Sequence, residues 1–197
     1  WTAIIKLYLL VSIVKEESKM TTKQLVTGAL LSALTLVALY FTFLLPTNTL
    51  TLLTIASVMV PIALIRGNVK TSLLVYITSS ILCLILMPLN ISVVYILFFG
   101  IYGLLKYFIE KLNHLSFEWI LKLAFFNSVF FIGFKFIKTL ISPHAFDGLG
   151  ILAEKFIPNV PYGDLLILIL LGQIVFILYD YALSLLIDTY YRYFSKY

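Results

Sequence analysis

Two lysines and an amide on one apolar stretch are the groups in this chain best placed to meet a solute. Asn127, Phe131, Lys135 and Lys138 recur at spacings of three and four, which puts them on one face of a helix turning about 100° per residue. Cations above an amide floor suit an anionic or carboxylate-bearing ligand. The plainer reading of the same lysines is snorkelling to the headgroups, which is easier for Lys138 than for Lys135. A second polar stripe runs through Gln173, Asp180, Ser184 and Asp188, and only Gln173 lies high enough to face the site of Lys135. A carboxylate at the depth of Asp180 must take up a proton or find a cation. Lys122, at similar depth on the neighbouring stretch, is the expected partner in a structural ion pair.

Other chemistry has no residues to carry it. The sequence holds no HExxH, no GxSxG and no phosphate-cradling glycine loop, so neither metallohydrolase, serine esterase nor nucleotide-driven machinery is expected. His144 and Asp147 are two scattered groups and make no metal site. A lone cysteine, Cys83, excludes an intramolecular disulfide or a cysteine metal cluster. The chain reads as non-enzymatic, without metal or cofactor.

The elements that must hold these groups are membrane helices. Hydrophobic residues make up 62% of the sequence and charged ones 12%, far from the soluble norm of roughly half and a quarter, and the mean hydropathy is +1.08. Apolar stretches at 25–45, 50–65, 71–87, 91–108, 119–140 and 165–187 are long enough for an all-α polytopic bundle of six transmembrane helices. The second is short, and Pro61 is expected to bend it.

The connections orient the bundle. Lys23, then Arg66 and Lys70, then Lys106 and Lys111, then Arg192 and Lys196 fall on one side, whereas 46–49 and 88–90 carry no charge. The positive-inside rule therefore predicts cytoplasmic N and C termini, and abundant Lys, Ile, Phe and Tyr fit an AT-rich bacterial genome and so a bacterial cytoplasmic membrane. A formal net charge of +5 reflects that topology rather than nucleic-acid binding. Tyr190, Tyr191, Tyr193 and Tyr197 suit an interfacial belt. The connection 142–164 is longer and contains Phe146, Leu149, Ile151, Leu152, Phe156 and Ile157. It is expected to fold back on the outer surface, with a short amphipathic helix near 149–156 acting as a lid.

Residues 1–19 form a separate segment. Trp1 is not an ordinary start, Met20 precedes a credible cytoplasmic flank, and Lys15-Glu16-Glu17 is encodable by codons containing a bacterial ribosome-binding sequence. The expectation is a non-native or upstream-translated leader, the alternative an amphipathic cytoplasmic segment. Residues 20–197 then make a single six-helix domain.

The first span carries the clearest interaction signal. Gly28 and Ser32, like Ala29 and Ala33, are small residues four apart, a spacing that lets another helix approach where lipid supplies no hydrophobic drive. The partner is either external or another helix of the same bundle.

Six short spans with both ends inside, opening on TKQLVTGALLSALTLVAL with its Ala29/Ala33 pair, resemble the S component of energy-coupling-factor (ECF) transporters. That resemblance implies capture of a vitamin-like micronutrient from outside. It also implies docking of the alanine pair on a transmembrane coupling subunit, with release driven by separate ATPase subunits. Pro61 to Gly67, PIALIRG, is similar to a stretch in bacterial membrane proteins of unassigned role with S-component-like folds. The alternative from another class is a non-transporting scaffold of the rod-shape or cell-envelope type. In it, phenylalanines such as Phe125, Phe126, Phe130 and Phe131 would fill the interior.

Overall fold

Hydroxyl and amide side chains set where the helices begin. Thr21 and Gln24 cap one another's backbone N–H groups at 3.3 and 3.0 Å, closing the first turn of α1, Thr22–Leu44, as a capping box. A single turn at Pro46–Asn48 leads into α2, Thr49–Arg66. The Asn68 side chain accepts from the Thr71 N–H at 2.9 Å and so starts α3, Val69–Leu86. Pro88 breaks the chain before α4, Leu89–Glu110, which is followed by α5, Leu115–Phe136, and α6, Gly163–Phe194. The structure, a computed structural model, describes residues 20–136 and 163–194.

All six helices are long and apolar enough to cross a bilayer, and the protein is an all-α, multi-pass membrane bundle. Contacts between helix ends show that successive helices run in opposite directions. Arg66 at the end of α2 donates to the Tyr190 hydroxyl near the end of α6, and Lys122 near the start of α5 meets Glu110 at the end of α4. Lys23, Arg66, Lys70, Lys111 and Arg192 thus gather at one end of the bundle, the basic end. The uncharged turns after α1 and α3 mark the other end, called the neutral end, where Lys135 in the last turn of α5 also lies.

The central helix is α2, which packs against α1, α3, α4 and α6. Pro61 leaves α2 continuous from Thr49 to Arg66 because the facing helix makes room for it. A Cβ at Gly103 of α4 would stand 2.8 Å from the proline Cδ. Elsewhere buried hydroxyls close back on their own helices, as in the Ser32, Thr35 and Thr42 bonds to carbonyls four residues earlier. Such bonds satisfy polar groups that lipid cannot.

One turn of α4 is underwound. Residues Tyr95–Phe99 form a π-type turn, which strands backbone groups that an α-helix would pair. Tyr76 of α3 answers by donating its hydroxyl to the Ile96 carbonyl at 3.1 Å, and the missing side chain of Gly100 leaves room for the Tyr76 ring. The extra residue turns Phe98, Phe99 and Tyr102 together toward α5 and α6.

The lid expected at 149–156, the leader at 1–19, and Lys138, His144, Asp147 and Lys196 lie outside the described residues. One charge falls differently from expectation. Lys106, read as a basic flank between spans, is 3% exposed inside α4, because the helix runs on to Glu110 and turns that side chain inward.

Candidate functional site

Three polar and aromatic tiers are stacked between α4, α5 and α6. The tier toward the basic end is a cluster of four charges. On α4, Tyr102, Lys106 and Glu110 recur every four residues and share one face. Lys122 comes from α5, and Asp180 and Ser184 come from α6.

The Asp180 carboxylate accepts from three side chains. Its Oδ1 accepts from the Tyr102 hydroxyl at 2.7 Å and from Lys106, and its Oδ2 accepts from Lys122 at 3.3 Å. Lys106 also donates to the Ser184 hydroxyl at 2.7 Å and the Asp180 carbonyl at 3.2 Å. Glu110 closes the ring, 2.9 Å from Lys122 and 3.4 Å from Lys106. Trp119 lies 5.6 Å from the Lys122 ammonium, centroid to nitrogen, a cation–π distance. Two cations and two carboxylates balance, and Lys106, Lys122 and Asp180 are all buried. The expected partners Lys122 and Asp180 are therefore together, but within a larger set. Lys106 and Glu110 are the members that sequence reasoning missed.

The middle tier is aromatic. Phe98 touches Phe99, Tyr102, Phe125, Phe126, Phe176 and Tyr179, with ring centroids 5.1–6.4 Å apart. Phe126 stacks on Phe176 at 4.8 Å. Tyr179 directs its hydroxyl to Ser57 of α2 at 3.1 Å. These rings occupy the space between the helices, and offset and edge contacts of this kind are individually favourable.

The third tier is a pair of amides. Gln173 donates through Nε2 to the Asn127 Oδ1 at 3.1 Å, and Asn127 donates to the Leu123 carbonyl at 2.8 Å. The structure thus joins two of the four residues expected to bind a solute. Lys135 is exposed, and eight residues of helix place it about 12 Å further along the axis from Asn127. It pairs with no carboxylate among the described residues. These bonds use one N–H of each amide and one lone pair of the Asn127 oxygen, so the pair keeps the Gln173 carbonyl oxygen and a second N–H on each side chain as capacity for a ligand. Among the described residues no three His, Cys, Asp or Glu side chains gather as a metal site.

The expected docking face of α1 divides in two. Gly28 and Ser32 are buried, and a Cβ at Gly28 would lie 3.5–3.7 Å from Thr71, Leu74 and Val75 of α3. They are contacts within the bundle, which corrects their assignment to an outside partner. The reason is the helical turn itself, since residues 28 and 29 point about 100° apart. Ala29 and Ala33 stay exposed, among the outward side chains of Val26, Leu30 and Val37.

No family model matches this sequence, and no curated protein or solved structure matches it either.

Proposed function

We infer that the chain is a non-enzymatic, partner-dependent membrane subunit. It captures a small, vitamin-like solute and hands it to a transmembrane coupling subunit powered by separate ATPases, as an ECF S component does. The observation that carries this reading is the Ala29/Ala33 face. Two small residues one turn apart, exposed and flanked by Val26, Leu30 and Val37, leave a shallow strip where a helix backbone can approach closely. The proposed binding groups are Asn127 and Gln173 in the bundle, with Lys135 and Lys138 as cations toward the outer surface. Basic residues at one end support cytoplasmic termini in a bacterial cytoplasmic membrane.

The aromatic tier favours a second reading, a scaffold or assembly factor of the cell envelope whose interior is filled. Phe125, Phe126 and Phe130 are among the rings that were expected to do the filling. Native mass spectrometry of the purified chain separates the two. A bound small molecule supports capture, and an empty chain that co-purifies with envelope proteins supports the scaffold. For capture, Ala29→Leu/Ala33→Leu should abolish cellular uptake while ligand binding persists. Equal loss of binding and uptake would overturn the docking role.

A further inference from the structure

We propose that α5 is a lateral gate, pivoting on the charge cluster at the basic end and swinging away from α6 at the neutral end. The motion would open the Asn127–Gln173 pair to the bilayer. Whether a solute uses the opening rests on the capture reading; the motion itself does not.

The attachment of α5 is unlike that of the other helices. Only 11% of its span is buried, against 22% for α6 and 33–50% for α1 to α4. Its backbone runs close to α4 and keeps away from α6 over nearly all the described length. Among the described residues α5 meets α6 through side chains: Lys122 to Asp180, Phe126 to Phe176, Asn127 to Gln173, and the Phe126 and Phe130 rings beside Gly172. A helix held by interdigitated backbones moves with its neighbours. One held across a gap mainly by side-chain bridges is free to hinge when the weakest parts.

These bridges weaken steadily along the helix. At the basic end the bridge to α6 is the buried Lys122–Asp180 pair at 3.3 Å, with Lys122 also tied to Glu110 of α4 at 2.9 Å, and breaking a buried charge pair there strands the other charge. At the amide tier a single neutral hydrogen bond remains, and such bonds between membrane helices are individually weak. Beyond it, Phe130 comes near Gly172, where a Cβ would be 3.4 Å from the ring. Further out still, a Cβ at Gly133 would meet nothing within 4 Å, and Phe131 and Ile132 are exposed. The least costly motion keeps the ionic end fixed and opens the amide end.

Spin-label distances in the full chain, reconstituted in lipid nanodiscs on a Cys83→Ser background, test this. One label pair replaces Ile132 and Leu170 near the neutral end, and a control pair replaces Ile120 and Leu186 near the cluster; all four are exposed. The neutral-end distribution should be at least about twofold broader than the control, or bimodal, and Gln173→Leu should shift it to longer distances. Equal narrow widths at both ends overturn the gate, as does equal broadening at both, which would mean that α5 detaches as a unit. The comparison of the two pairs in the unsubstituted chain decides the matter even if Gln173→Leu fails to fold. A gate that opens in a chain with no bound molecule keeps the motion and removes capture. A bound molecule with narrow distances at both ends does the reverse.

Discussion

Removing the Asp180 charge tests whether the four ions at the α4–α5–α6 junction act as one unit. In Asp180→Asn the cluster keeps Lys106, Lys122 and Glu110, and so holds one uncompensated positive charge, with both lysines 3–5% exposed and the Glu110 side chain 17% exposed. Opposite charges 2.9–3.4 Å apart attract by about 5–6 kcal/mol at an effective dielectric near 20. Desolvation of each ion offsets several kcal/mol of that, so the intact set contributes little net stability. The imbalance is what matters, and Asp180→Asn should destabilise the bundle by about 3–5 kcal/mol. Lys106→Met, which leaves one surplus negative charge, should do the same. The double variant restores neutrality and keeps the Lys122–Glu110 pair at 2.9 Å, so it should fall within about 1–2 kcal/mol of the natural chain. Unfolding in mixed detergent micelles, followed by circular dichroism, supplies the four free energies for a double-substitution cycle. Coupling of several kcal/mol, above the usual range of about 0.5–3 for neighbours, is the expected result. Additivity within about 0.5 kcal/mol would refute the idea of a balanced unit.

Glycine substitutions read the packing independently. Gly103→Ala should destabilise by about 1–3 kcal/mol in the same micelle assay, because its Cβ would sit 2.8 Å from Pro61 in a well-packed interface. Gly133→Ala, with open space around it, should instead gain up to about 1 kcal/mol from helix propensity. On α1, Gly28→Leu should destabilise by about 1–3 kcal/mol through overpacking against α3, whereas Ala29→Leu should leave stability unchanged within about 0.5 kcal/mol. Indistinguishable effects at 28 and 29 would mean that α1 is rotated from the orientation described.

The number, order and approximate ends of the helices were legible because apolar length and turn residues report directly on a membrane span. Pro46, Gly67 and Pro88 mark three of the turns. The pairing of Lys122 with Asp180 was legible by depth alone. Lys106 was not, because ending the fourth span at residue 108 left it at the boundary, where a lysine reads as a topology signal. The available clue was the four-residue repeat of Tyr102, Lys106 and Glu110, which sets all three on one face. The inward turn of Phe98 was hidden for a different reason. A π-type turn shifts the register by one residue, and hydrophobic residues on every side of a membrane helix mask such a shift. On α1, small residues announced close packing without saying on which side it lies.

Chain order sets the sequence in which the charges of the cluster enter the membrane. When α4 enters the membrane, Lys106 and Glu110 stand 3.4 Å apart on successive turns of the same helix, so the helix carries its own counter-ion and a smaller insertion penalty than a lone charge. Lys122 arrives next, on α5, and finds Glu110 already in place. Asp180 comes on α6, the last of the described helices to be synthesised. Until it arrives the nascent bundle holds one surplus positive charge. Its arrival ties Lys106 of α4 and Lys122 of α5 to α6 and brings the cluster to neutrality.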